Sequence, residues 1–452
     1  MRFADLVVKN GRVATSSLQS LAIAAKGGRI IWIGSNSNAP QADRVVDASG
    51  LLVLPGVIDV HVHMREPGAT YKEDFRSGTA AAAAGGVTTV FDMPNNNPPT
   101  ADVPSLKAKA RLAGEKAIVD YALYGALAKG NSGQLGPMAG AGAIGFKWYM
   151  AETTGIVAAP PHAELMRDLA ILSKSKSRVS VHAEDDAIIR SRTSKLKAAG
   201  RADASAHFEA RPSAAEEKAV REAIASARQA GCMLHLAHLS SAAGADQVRK
   251  AKRSRGVPRG SITAETCPQY LLLDKSDYAE RGSLMKCNPS IKSKEDRLAL
   301  WRAVTDGTID MVATDHAPHT LEEKTAGGSI FDQASGFPGL ETSVALMLTC
   351  VSRGLLTLTR YVQLSSEGPA RAWGLYPKKG AIRIGADADF TIVDPKKRWK
   401  VDSSKFVSKA KYSPFDGFKA EGAAVYTIVR GTVVMDNGAV DEACRGEMQR
   451  PI

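Results

Sequence analysis

The spacing of apolar and polar positions divides the chain into two textures. Eight short apolar runs, many of them β-branched, recur between residues 57 and 318. They are VIDVHVH (57–63), VTTVFDMP (87–94), IVDYALYGAL (118–127), AIGFKWYM (143–150), RVSVHAED (178–185), MLHLAHLS (233–240), SITAETCP (261–268) and DMVATDHAP (310–318). Runs with so little alternation predict strands buried on both faces. Most of the intervals carry helical patterns. SAAEEKAVREAIASARQAG (213–231) predicts a helix capped by Ser213 and stopped at Gly231, and SKEDRLALWRAVTDG (293–307) predicts another of the same form. Strands alternating with helices predict a parallel sheet, and eight such units predict a (β/α)₈ TIM-type barrel, assigned to residues 55–376.

The two ends read differently. DLVVKNGRV, SLAIAAKGGRIIWIG and RVVDASGLLVLPG are short strand patterns separated by the turn signals Asn10-Gly11 and Gly27-Gly28. IRIGADADFTIVDP and AVYTIVRGTVVMDNG near the C-terminus have the same character. Each end is too small for a core of its own. Residues 1–54 and 377–452 are therefore expected to pair into one discontinuous β-sandwich domain.

Composition narrows the class. With 452 residues, 44% hydrophobic and 23% charged, the chain fits a globular protein. No run is apolar and long enough to span a bilayer, and the start lacks the basic-then-apolar order of a signal peptide. The five cysteines are odd in number, scattered and free of CxxC spacing, which points to reduced thiols in a cytoplasmic protein. The net charge of +12 is dispersed, and basic runs such as KSKSR and PKKRWK stand outside any recognition motif. No nucleic-acid or membrane partner is expected; the positive field suits an anionic small molecule.

The candidate chemistry lies where the predicted strands end, the face on which such barrels carry their sites. Alternation along the first strand points His61 and His63 to the same side. The fourth run carries Lys147, the fifth ends at His182, the sixth at His238 and the eighth at Asp315. A single strand-end histidine is usually structural. Imidazoles and a carboxylate at four separate strand ends predict a metal centre, with donors suited to zinc and related divalent ions. Lys147 leaves two readings open. Its ammonium can sit outside the metal shell and bind a substrate anion, or it can lose its proton on burial and add carbon dioxide to become an anionic carbamate ligand.

These motifs resemble those of the cyclic-amide hydrolases of the amidohydrolase superfamily, and most of all the dihydroorotases, over nearly the whole chain. The resemblance implies two Zn²⁺ per chain, held by His61, His63, Lys147, His182, His238 and Asp315 and bridged by carboxylated Lys147 and a hydroxide. In HVHMREPG, Arg65 matches the dihydroorotase arginine that pairs with the substrate carboxylate, where allantoinases usually have asparagine and hydantoinases an apolar residue. Asn95 in DMPNNNPPT matches a second carboxylate contact, His319 in DHAPH a further substrate-contacting histidine, and Asn288 in KCNPSIKSKEDR a contact to the ring amide. The implied activity is the interconversion of L-dihydroorotate and N-carbamoyl-L-aspartate in pyrimidine synthesis, with Asp315 carrying the proton and a homo-oligomer as the expected assembly. An allantoinase or hydantoinase is the nearest alternative. A non-catalytic scaffold relative would lack metal ligands, and this chain keeps all six. The segment EEKTAGGSIFDQASGFPG (322–339) reads equally as a lid or as a long surface loop.

Overall fold

The computed structural model describes residues 3–15, 17–152 and 157–451. From the N-terminus, β1 (Ala4–Ala14), β2 (Leu18–Lys26), β3 (Arg29–Gly34), β4 (Ala42–Asp47) and β5 (Leu52–Pro55) precede the eight barrel strands. These are β6 (Val57–Val62), β7 (Val87–Asp92), β8 (Asp120–Ala126), β9 (Gly145–Tyr149), β10 (Arg178–His182), β11 (Met233–Leu236), β12 (Ile262–Thr266) and β13 (Met311–Val312). Each falls inside one of the eight apolar runs. Neighbours pair in parallel and in chain order. The ring closes between the first and eighth strands through a Val62–His316 bridge, with His63 N donating to His316 O at 2.8 Å. The fold is a (β/α)₈ barrel.

Its strands are buried on both faces because helices cover the outside while side chains fill the inside. Ile58, Val60, Phe91, Tyr124 and Met311 pack in the interior with Trp373 and Leu375, which close off its N-terminal end. The helix Ser213–Ala230 ends at Gly231 with φ 65°, the left-handed stop that glycine favours. Ser213 is not its cap: Pro212 precedes the first helical residue, and no side chain caps that end. Pro212 fixes an extended entry without needing the capping hydroxyl, and Ser213 Oγ reaches Asp296 instead, at 3.5 Å. The helix Lys294–Thr305 follows expectation, with Ser293 accepting from Asp296 N in a reciprocal capping box.

After the barrel come β14 (Phe390–Lys400), β15 (Lys419–Val429), β16 (Thr432–Asp436) and β17 (Ala439–Val440). They join β1–β5 in a separate, mainly antiparallel sheet in which β14 pairs with β5. Leu6, Val8 and Ile23 from one end share a core with Phe390, Ile392 and Ile428 from the other. Gly27 and Gly28 make the β2–β3 turn at positive φ, as expected. Asn10-Gly11 does not make a turn. It lies within β1 as a bulge, with Asn10 at φ 64°. The bend lets the first half of β1 pair with β4 and the second half with β5. Gly11 is required by close approach: a Cβ there would lie 2.7 Å from Val53.

Candidate metal centre and active site

The barrel puts the predicted strand-end residues around one recess. His61, His63, Lys147, His182, His238 and Asp315 line it, and so do Arg65, Asn95 and Asn288. His319 does not. It stands behind Arg65, with its Nε2 3.1 Å from the guanidinium and its Nδ1 3.2 Å from Lys72 Nζ.

The six candidate ligands crowd one another. Ligand atoms of His61, His238 and Asp315 all lie within 4.8 Å. His63 Nε2 is 3.1 Å and His61 Nε2 3.4 Å from Asp315 Oδ1, while His182 Nδ1 is 3.0 Å from His238 Nε2. Two of the polar atoms, Lys147 Nζ and His238 Nδ1, are buried without any hydrogen-bond partner among the described residues. Orphaned buried donors and acceptors are costly; a cation here would take up the lone pair of an unprotonated imidazole nitrogen such as His238 Nδ1, and Lys147 would join it only after losing its proton. The set therefore fits a divalent metal ion.

Protonation agrees with this. Burial pushes His63 down to about 4, against the pull of Asp315, and lowers His182 and His238 as well. These imidazoles are neutral at physiological pH, the form that ligates metals. Burial also pulls Lys147 down to about 8, against the attraction of Glu265 and Asp315. Burial opposes ionisation of Asp315, but His61, His63 and Lys147 outweigh it and hold the carboxylate below its ordinary range.

Behind the ligands stands a layer that orients them. Glu265 on β12 contacts His61 Nδ1 at 2.5 Å and His235 Nε2 at 3.0 Å, and it accepts from the His238 backbone N–H at 3.1 Å. Glu184 contacts His182 Nε2 at 2.9 Å and pairs with Arg211 at 3.0 Å. Asn95 Oδ1 lies 2.8 Å from His63 Nδ1. Such contacts select the tautomer and ring orientation of a ligating histidine. Arg65, His238 and Asp315 hold left-handed backbone at φ 61°, 36° and 50°. For non-glycine residues that costs about 1–3 kcal/mol each, and such strain concentrates where function needs the geometry.

Three contributors escaped the sequence reading. Tyr149 lines the recess, its buried hydroxyl without a partner among the described residues. It lies two residues beyond Lys147 on one strand, so alternation could have found it. Glu265 interrupts the otherwise weakly polar seventh run, and Glu184 follows His182 by two; both were visible as carboxylates beside buried strands. The 322–339 segment forms a wall. Lys324 donates to Lys286 O at 2.9 Å and Ala334 O at 3.1 Å, and Ser335 and Gly336 face the recess.

Another acidic cluster, Asp120, Asp387 and Asp389, is not a metal site. Lys379 Nζ lies 2.7, 3.1 and 2.5 Å from its three carboxylates and supplies the positive charge. It acts as an ionic latch between barrel strand β8 and the approach to β14.

A barrel mouth with four histidines, a lysine and an aspartate converging on one recess defines a metal-type hydrolase site, and comparison with known proteins specifies the class. The chain belongs to the amidohydrolase family, whose profile matches residues 52–434. It is 38% identical over 437 residues to a dihydroorotase of Methanosarcina mazei, covering 95% of this chain and 94% of that protein. It is 35% identical over 456 residues to an allantoinase of Solibacter usitatus, covering 99% and 97%. The structure of an L-hydantoinase (dihydropyrimidinase) from Arthrobacter aurescens superposes with a TM-score of 0.94 at 36% identity, covering 99% of both chains. Within the family, the protein is a cyclic amide hydrolase. The five cysteines are unpaired, and no helix among the described residues is long and apolar enough to cross a membrane.

Proposed function

We propose that this cyclic amide hydrolase is a zinc-dependent dihydroorotase, interconverting L-dihydroorotate and N-carbamoyl-L-aspartate in pyrimidine synthesis. One observation carries the reading. Arg65 lines the recess, is only 7% exposed, and pairs with no carboxylate among the described residues. Its Nε donates to Pro318 O at 3.0 Å and its Nη2 meets His319, both neutral partners. Asp315, Asp92 and Glu323 act on the guanidinium only from a distance, which leaves room for an anion in direct contact, and its fork fits a carboxylate. Dihydroorotate brings a carboxylate; hydantoin and allantoin do not.

The remaining residues take roles around that anchor. His61, His63, His182, His238, Asp315 and a carboxylated Lys147 would hold two zinc ions. Zinc bound there would polarise the ring carbonyl and lower the pKa of water from about 15.7 to roughly 7. Asn288 Oδ1, buried and without a partner among the described residues, accepts a ring N–H. Asn95 orients His63 and stands beside the substrate carboxylate. In ring opening, Asp315 takes a proton from the attacking water and delivers it to the ring nitrogen as the C–N bond breaks. In ring closure it takes the proton from the carbamoyl nitrogen.

A hydantoinase reading has two structural arguments: the similarity to the L-hydantoinase structure, and a cleft of about 650 Å³ that shares Asn288 and Ser335 with the recess and has room for a ring substituent. The test is a comparison of kcat/KM for dihydroorotate, dihydrouracil, hydantoin and allantoin. Dihydroorotate is expected to lead; a higher value for hydantoin or allantoin overturns the assignment.

A further inference from the structure

The opposite end of the barrel carries a cavity of about 720 Å³ that the hydrolytic site does not use. Its wall includes Arg178 at the start of β10, Ile262 at the start of β12 and Asp310 just before β13. These are the N-terminal ends of strands whose far ends carry His182, Glu265 and Asp315, so the cavity lies a full strand length from the recess.

Its charge is unbalanced. Two carboxylates reach the wall, and each is already paired: Asp310 with Lys252 at 2.6 Å and Glu367 with Arg371 at 2.7 Å. Arg178, Arg259 and Arg360 have no ion pair among the described residues. Arg178 is buried, and it donates to Ala372 O, Leu234 O, Gly260 O and Thr263 Oγ1 at 2.8–3.0 Å. Arg360 donates to Val304 O at 2.9 Å, Ile309 O at 2.6 Å and Gln363 Oε1 at 3.2 Å. All these acceptors are neutral. They hold the guanidiniums in place without cancelling their charge, and Arg259 stands exposed at the rim. Five cationic side chains (Arg178, Lys252, Arg259, Arg360 and Arg371) against two carboxylates therefore leave a net charge of +3 around a water-accessible space within the usual 300–1,000 Å³ of small-molecule sites.

We propose that this cavity is a second ligand site, distinct from the hydrolytic centre, and that it binds a small phosphorylated metabolite carrying two or more negative charges. Arg178 is used up in hydrogen bonds and supplies field. Arg360, with N–H groups to spare, and Arg259 supply direct contacts to phosphate oxygens. The proposal stands apart from the choice of ring substrate.

Isothermal titration of the metal-loaded enzyme with fructose 1,6-bisphosphate, at ionic strength matched with NaCl, tests it. One saturable site per chain is expected. Arg259→Glu, an exposed change that leaves the packing alone, should weaken binding at least tenfold. Arg65→Met, at the other end of the barrel, should leave it unchanged. Absence of saturable binding, binding that Arg259→Glu leaves intact, or binding lost in Arg65→Met would each overturn the proposal.

Discussion

Replacing Arg65 by methionine separates substrate recognition from chemistry. Methionine keeps much of the length and apolar bulk of the stem and removes the charge. The guanidinium is buried in the wall of the recess, so a carboxylate bound against it is shielded from water. A hydrogen bond to a charged group is worth about 1.5–3 kcal/mol under these conditions. At about 1.4 kcal/mol per tenfold, kcat/KM for dihydroorotate should fall roughly 10–140-fold. Leaving the substrate carboxylate unpaired would enlarge the loss. The variant also forfeits the bonds to Pro318 O and His319, a cost to folding of about 1 kcal/mol each. Metal content should be unchanged, because the clustered ligand atoms belong to other residues. The assay is the initial rate of ring opening, followed by chromatographic quantification of product, for dihydroorotate and for dihydrouracil, which lacks the carboxylate. Dihydroorotate turnover should collapse while any activity on dihydrouracil stays level. Equal falls on both substrates, or no fall on dihydroorotate, would refute the role given to Arg65.

Three further outcomes are expected. Lys147→Ala should lose nearly all activity and regain part of it with short-chain carboxylic acids; mass spectrometry of native protein should show an added carboxyl group on Lys147, and an unmodified amine in active, metal-loaded enzyme would exclude the bridge. Glu265→Gln should reduce metal affinity about 10–100-fold in equilibrium dialysis, since it removes the charge that orients His61. Burial pushes Glu341 up to about 7 from an ordinary value of 4.5, so the folded state holds its proton more tightly than the unfolded one. Its contribution to stability is then fully present below pH 4.5 and lost as pH rises towards and through 7. Thermal melts from pH 4.5 to 8 should show that fall in the wild type and a flatter profile in Glu341→Gln.

How much of the site could be read before folding depends on which interactions are local. His61 and His63 declare themselves, because a two-residue spacing on a strand fixes their shared side whatever surrounds them. Lys147, His182, His238 and Asp315 are legible for the same reason: each follows or interrupts an apolar run, and the run locates the strand end. Glu265 was not legible as the partner of His61. The two lie 204 positions apart and meet only because the barrel closes. His319 illustrates the converse. It sits four positions past Asp315, yet the turn after β13 carries it behind Arg65 rather than into the recess.

The sequence by itself determined the eight-strand alternation, the pairing of the two ends and the identity of the groups at the barrel mouth, because side-chain period and polarity are properties of short segments. Tertiary structure alone decided which charges are compensated. Asp120, Asp387 and Asp389 gather around the Lys379 ammonium, whereas Arg65 makes no ion-pair contact with a carboxylate among the described residues. It also decided that Asn10-Gly11 bends a strand instead of ending it, since β4 and β5 are both available to pair with β1. Charge balance and pairing depend on neighbours outside the local segment, from β4 and β5 in the case of β1 to Asp120, 259 positions from Lys379, and only the closed fold brings those neighbours within reach.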